Sequence, residues 1–400
     1  HNVFLEECMN VFERLNIQPV INAAGPVTRL SGALMADEVR EAMAEAGKAC
    51  YDIAELQAAA GRVIAEVTGA EAGYVTSGAA AGLLLGVAAC VAGLDPGAMN
   101  RLPDIRGGKN QVIIARSHRN FYDHAIRSVG IELVEVGISD RYSGAGVRDT
   151  EGWEIADAIT ESTAAIAYVA NSSARPRLSE VTRVAHEQGV PVIVDAAGQL
   201  PPKSNLRKFT DEGADLVCFS GGKVIGGPQG AGILCGRKDL ISSAALQHLD
   251  QDVLFELWMP PEDLIDKSLL PGAPQHGIGR PCKVGKEQIA GLMAALMRFV
   301  DEDDDVRWKR WMDTVNELVE ALSDVRGIEV VVEDSSAIPS IHVKLLSTDG
   351  LSATRKLNAY QPSVHVNASR VYEEVLVLNP VCLRDGDVPE LVSAFKAVLS

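Results

Sequence analysis

Between residues 50 and 240 two hydrophobic periods alternate along the chain. Short β-branched runs at 73–76, 111–115, 131–136, 164–170, 191–195, 215–219 and 230–235 read as strands. Between most of them apolar positions recur at helical spacing, at 53–68, 79–92, 118–129, 150–160 and 179–188. Gly69 and Gly189 stand where the first and last of these helices would end. This alternation predicts a mostly parallel sheet with helices on both faces, a large three-layer α/β domain. Past Lys286 the texture changes. Helices at 287–300 and 306–323 flank an acidic run at 301–305, followed by strands near 328–332, 341–345, 363–366 and 375–378 and helices at 352–358 and 388–399. A small α+β domain is expected there, with the acidic run as solvated helix ends at a boundary. The expected division is an N-terminal segment, 1–35, packing with the small domain; a large domain, 36–290; and the small C-terminal domain, 291–400.

Residues 72–94 carry no charge and are long enough to be read as a membrane span. Thr76-Ser77-Gly78 breaks the run, so a buried strand, turn and small-residue helix is the expected structure and no membrane partner is expected. The composition, 47% hydrophobic and 23% charged over 400 residues, is that of a globular protein and excludes disorder and collagen. A formal charge of −17 opposes a phosphate backbone, so nucleic acid is not an expected partner. The cysteines, Cys8, Cys50, Cys90, Cys218, Cys235, Cys282 and Cys382, are odd in number and form no C-x-x-C. With no basic segment leading into an apolar core and cleavage site, they predict a reducing, cytoplasmic setting. The eight histidines show no metal-ligand spacing with cysteine, and no metal is expected.

Three segments carry chemistry. Lys223 follows the apolar run 215–219 through Ser220-Gly221-Gly222, a turn that projects an amine from a strand end into a cleft. Desolvation there makes an amine a Schiff-base nucleophile. Asp195 ends the run 191–195, one strand unit earlier, and the carboxyl ends of strands in open α/β sheets share a crevice. A lysine and a carboxylate facing one crevice suit pyridoxal 5'-phosphate, whose aldehyde needs an amine and whose ring nitrogen needs an acid to stay protonated. Thr76-Ser77-Gly78-Ala79 supplies the third part, a strand opening through glycine into a helix N-terminus that cradles phosphate. His118, just past a strand, offers a flat ring to stack on the cofactor.

These residues resemble the fold type I pyridoxal-phosphate enzymes, and within them the selenocysteine-synthase-like family. The resemblance runs from about residue 15 to 382. It rests on Pro19-Val-Ile-Asn-Ala-Ala-Gly25 with Thr28-Arg-Leu30, Thr68-Gly-Ala-Glu71, Tyr74-Val-Thr-Ser-Gly-Ala-Ala80, Val194-Asp-Ala-Ala197 and Ser220-Gly-Gly-Lys-Val-Ile-Gly-Gly-Pro-Gln229. Arg280-Pro-Cys-Lys-Val-Gly-Lys-Glu287 is most similar to the D-glucosaminate-6-phosphate ammonia-lyase-like branch. The tRNA-directed branch carries an extra region ahead of its Asn-Ala-x-Gly segment, whereas here Gly25 is reached after 24 residues, so small-molecule chemistry is expected.

The resemblance implies Lys223 as the cofactor lysine, Asp195 as partner of the ring nitrogen, Ser77, Gly78, Ala79 and Ser220 as phosphate contacts, and His118 on the ring. Asn171 and Gln199, each past a strand end, are further cofactor candidates. Arg29, Arg280 and Lys283 are candidates for a substrate carboxylate or phosphate. The expected reaction is α,β-elimination from a small hydroxylated amino acid, such as an amino sugar acid, to a 2-keto acid and ammonia. Racemase, aldolase and selenocysteine-synthase-like transferase chemistry remain alternatives, as does a non-catalytic cofactor-binding protein. A homodimer or larger homo-oligomer is implied.

Overall fold

The structure, a computed structural model, describes residues 10–138 and 149–399. Cys8 lies outside the described residues. The chain forms two compact units, residues 34–301 and residues 1–33 with 302–400. The strands are β1 (Ile21–Ala23), β2 (Ala72–Thr76), β3 (Gln111–Ala115), β4 (Glu132–Val136), β5 (Thr163–Val169), β6 (Val192–Asp195), β7 (Leu216–Ser220), β8 (Gly232–Gly236), β9 (Ile328–Glu333), β10 (Ser340–Leu345), β11 (Val364–Val366) and β12 (Val375–Leu378). The helices are α1 (Val11–Arg14), α2 (Asp37–Ala46), α3 (Ile53–Thr68), α4 (Ala79–Ala92), α5 (Pro96–Arg101), α6 (Asp123–Arg127), α7 (Gly152–Ala158), α8 (Leu178–His186), α9 (Asn205–Asp211), α10 (Lys238–His248), α11 (Lys286–Asp301), α12 (Asp304–Leu322), α13 (Gly350–Ala359) and α14 (Asp387–Leu399).

The larger unit is built on a seven-stranded sheet in the order β2-β8-β7-β6-β5-β3-β4. Strands β3 to β7 pair in parallel, and β8 runs antiparallel to both its neighbours, β2 and β7. Successive side chains of a strand point to opposite faces, so the unbroken apolar runs feed two cores. On one face Val75, Ile113, Ile166, Val194 and Phe219 meet Leu292, Leu296 and Phe299 of α11. On the other, Tyr74, Val112, Ile114, Ile193 and Leu216 meet Leu83, Leu85 and Val87 of α4. The uncharged stretch is therefore a strand, a turn and a helix packed on the sheet. Among the described residues no helix is long and apolar enough to cross a membrane.

Three expectations change. The helix read at 118–129 shrinks to α6, because Asn120 takes the Tyr122 N–H on its side-chain oxygen at 2.7 Å and Asp123 takes the Asn120 N–H at 3.4 Å. Such local side-chain bonds compete with the helical ladder. The expected boundary at 290 moves to 301, since α11 packs on α2 and α3 and its apolar face belongs to the sheet core. The acidic run is more than solvated helix ends. Glu302 and Asp304 both pair with Arg307, whose side chain is only 2% exposed, and Asp303 caps α12 through the Asp305 N–H. Helices α1, α2, α5, α9 and α10 have no counterpart in the sequence reading.

In the smaller unit β12-β10-β9 forms an antiparallel sheet, and β1 pairs in parallel with β11. The N-terminal strand is thereby bonded to a strand near the other end of the chain. Ile21, Leu318, Val343, Leu376 and Phe395 share the core beneath.

Candidate active site

The candidate residues gather where the strands of the large sheet end. Thr76 and Ser220 both lie opposite Gly232, so the C-terminal ends of β2 and β7 stand level on either side of β8. Asp195 ends β6, in register with Val169 and Cys218 on its two neighbours. The chain leaves β7 through a closed turn: Gly221 donates to Ala231 O, Gly227 to Gly221 O and Gly226 to Lys223 O, each at 2.9 Å. Lys223 sits in that turn with its amine aimed at the segment after β6. A Cβ on Gly198 would lie 3.7 Å from Lys223 Nζ. Burial pushes the Asp195 carboxyl above its ordinary value, opposed by the Ala197 N–H at 3.0 Å and by the charge of Lys223.

Ser77 and Gly78 connect β2 to α4. Gly78 is the N-cap of this 14-residue helix, with φ of +98° and no capping side chain, so the first amides of α4 are left to another acceptor. The Thr76 hydroxyl closes the turn on Gly78 O at 2.9 Å, and Ser77 Oγ donates to Cys282 O at 2.7 Å. Amides at the positive end of a helix suit a phosphate. The pieces fit pyridoxal phosphate: a cradle at Ser77, Gly78, Ala79 and Ser220, an amine at Lys223, and a desolvated carboxylate at Asp195.

His118 is 3% exposed and follows β3. Its Nδ1 accepts the Val169 N–H at 3.4 Å and its ring meets Tyr168 edge-on, centroids 4.7 Å apart at 89°. That places the imidazole beside the strand adjoining Asp195. Asn171 spends its side-chain oxygen locally, accepting from the Ser173 N–H and hydroxyl at 2.9 Å. Gln199 follows Asp195 on a turn whose carbonyl holds Asn205 Nδ2 at 2.6 Å.

Arg280 and Lys283 line one cleft of about 600 Å³ together with Asp250, Asp252 and His276. Its lining does not include Lys223 or Asp195. Arg280 is held there, with Nε and Nη2 on one oxygen of Asp250 at 3.1 and 2.6 Å. His276 Nε2 lies 3.1 Å from Asp252 Oδ1, and Asp250, Asp252 and His276 bring carboxylate and imidazole atoms within 4.8 Å of one another. Arg29 belongs to the smaller unit, where its guanidinium lies 3.5 Å from His365 Nδ1.

Residues 20–253 match the family model SelA, L-seryl-tRNA selenium transferase. The chain belongs to the SelA family. The chain is 30% identical over 389 residues to the 5'-C-glycyluridine monooxygenase-decarboxylase of a Streptomyces species, covering 94% of this chain and 89% of the other. It is 28% identical over 404 residues to the D-glucosaminate-6-phosphate ammonia lyase of Salmonella typhimurium (strain 14028s / SGSC 2262), covering 97% and 98%. A solved structure of D-glucosaminate-6-phosphate ammonia-lyase superposes with a TM-score of 0.79 at 26% identity, covering 98% of both chains. This SelA-family chain has the fold type I architecture and is a pyridoxal-phosphate-dependent enzyme.

The reading of the sequence missed Thr76 as the turn-closing hydroxyl, and it missed Tyr74, His248 and Cys282. Tyr74 OH lies 2.8 Å from His248 Nδ1, and His248 Nε2 lies 2.9 Å from Cys282 O, the carbonyl that Ser77 also reaches. Tyr74 falls within a family-like segment, but nothing in the local pattern around His248 singles it out.

Proposed function

We propose that the protein catalyses α,β-elimination from a small hydroxylated amino acid, releasing a 2-keto acid and ammonia. The full-length similarity to an ammonia lyase, joined to the placement of Lys223 beside the Asp195 segment, carries this reading. Pyridoxal phosphate supplies the aldehyde that takes up the amino group and the electron sink that acidifies Cα. Lys223 Nζ would be the amine that holds the cofactor, and once free it would serve as the base for the Cα proton. The closed turn at 221–231 fixes where that amine returns. Asp195, a desolvated carboxyl opposed by the charge of Lys223, would pair with the cofactor's ring nitrogen. The amides after Gly78, with Ser77 and Ser220, would hold the phosphate, and His118 would flank the ring.

Asn171 and Gln199 are proposed to line the cofactor's phenolic side. Arg280, Lys283 and Arg29 are proposed for the substrate's anionic group. Arg280 enters that role already neutralised by Asp250, which leaves Lys283 as the stronger candidate of the cleft. A cytoplasmic homo-oligomer acting on a free small molecule, not on nucleic acid, completes the proposal. It is supported by the −17 charge and by six described cysteines that are all free thiols.

A second reading comes from the Streptomyces relative, whose name states a decarboxylation. The experiment that separates them supplies D- and L-hydroxyamino acids and amino sugar acids to the holoenzyme and follows ammonia, keto acid, carbon dioxide and oxygen. Keto acid and ammonia in equal amounts support elimination. Carbon dioxide released with oxygen consumption supports the second reading. Exchange at Cα or aldehyde release without keto acid overturns both in favour of racemisation or aldol cleavage.

A further inference from the structure

A buried polar chain runs from the core to the phosphate cradle, and the function above does not use it. Tyr74 OH donates to His248 Nδ1 at 2.8 Å; His248 Nε2–H donates to Cys282 O at 2.9 Å; and Ser77 Oγ donates to the same carbonyl at 2.7 Å. Tyr74 is fully buried and His248 is 3% exposed. The carbonyl can only accept, so the proton on His248 must sit on Nε2, and Nδ1 then accepts from the tyrosine. Burial lowers the imidazole's pKa, helped by the charge of Arg280, which keeps the ring neutral with one donor and one acceptor.

Ser77 has one hydroxyl proton, and in this structure it is spent on Cys282 O. A phosphate in the cradle accepts hydrogen bonds, so the Ser77 side chain contributes a donor to it only by turning that proton away from Cys282. The carbonyl would then lose one of its two donors. Its segment is tied to the helix before it: Gly279 N–H donates to Gln247 O at 3.1 Å, and Arg280 pairs with Asp250.

We propose that His248 is a positioning residue for cofactor binding, holding the Cys282 carbonyl from Nε2–H so that the Ser77 hydroxyl is free to turn to the phosphate. Tyr74 completes the arrangement by donating to Nδ1, the nitrogen that this tautomer leaves as acceptor. The inference rests on the reading of Ser77 and Gly78 as the phosphate cradle. Without His248, turning Ser77 leaves a part-buried carbonyl unsatisfied, a penalty that falls on the phosphate-bound state and not on the free protein.

The test is equilibrium binding of pyridoxal phosphate and of pyridoxal, which lacks the phosphate, to full-length apoprotein, read by absorbance. Wild type is expected to prefer the phosphorylated form. His248→Leu is expected to weaken pyridoxal phosphate by about ten-fold and to leave pyridoxal unchanged. His248→Gln, which keeps a donor near the Nε2 position, is expected to restore affinity. His248→Asn, too short to reach Cys282 O, is expected to behave like leucine and serves if the leucine variant does not fold. In a cycle with Ser77→Ala the two losses should not add, because both act on one hydroxyl. Equal weakening of both ligands, no rescue by glutamine, or fully additive losses would overturn the role of His248. A wild type with no preference for the phosphate would instead overturn the cradle.

Discussion

A Cβ placed on Gly232 would lie 2.5 Å from the carbonyl carbon of Gly78 and 2.7 Å from the amide nitrogen of Ala79. Strand β8 therefore touches the helix N-terminus backbone to backbone, and only glycine allows it. Gly232→Ala cannot relieve the clash by a side-chain rotation, so the first turn of α4 must move. Pyridoxal phosphate affinity is expected to fall by about ten-fold or more, the equivalent of ~1–3 kcal/mol of overpacking strain. Titration of apoprotein with the cofactor checks this, with far-UV circular dichroism reporting that the sheet is intact.

Lys223→Ala is expected to keep the cradle but lose the covalent link. Wild-type holoenzyme should be yellow, with a visible band that borohydride removes. The variant should show no borohydride-fixed cofactor on the protein and no keto acid from any substrate that wild type consumes. Cofactor fixed to the variant by borohydride would place the link on another lysine.

The raised carboxyl at Asp195 has a stability consequence with a definite sign. Its folded-state value lies above the unfolded one, so the folded apoprotein binds that proton more tightly. The contribution is fully present below the ordinary carboxylate value of about 4 and is lost as pH rises through the raised value. Asp195→Asn removes this decline. Apoprotein Tm, measured across acid and neutral pH, is expected to match or exceed wild type at neutrality. A variant markedly less stable there would contradict the desolvated carboxylate.

The buried guanidinium of Arg307 anchors the start of α12, bonding Glu302 at 3.0 Å and pairing with Asp304. Arg307→Met leaves the partly buried Glu302 without this partner and is expected to destabilise the smaller unit by roughly 3–5 kcal/mol, the scale of a broken buried pair. Adding Glu302→Gln should recover part of the loss. Denaturant unfolding of both variants measures it.

The strand-end residues were legible because an apolar run that stops at Thr76, Asp195 or Ser220 has no packing reason to carry those groups. The helices 53–68 and 79–92 also emerge with the expected bounds, one closed by Gly69 and the other opened by Gly78. What the sequence hides is partnership at long range. His248 reaches Tyr74 across 174 positions, and Arg280 meets Asp250 across 30, with no periodicity linking either pair. Local competition was equally opaque. Asn120 reads as a neutral polar position and Asn171 as a cofactor candidate, yet each bonds a backbone N–H two residues on, cutting a helix short in one case and turning the chain in the other. The acidic run misled because its carboxylates were weighed as solvent-facing charge, whereas two of them surround a buried arginine.

Among the described residues, strand β2 is bonded to the rest of its sheet only through β8. The cradle belongs to an early part of the chain and the lysine to a later one, and the strand that brings them level comes after both. Residues through 236 must therefore be made before β2 can pair into the sheet, so any chain ending earlier leaves β2 an unpaired strand.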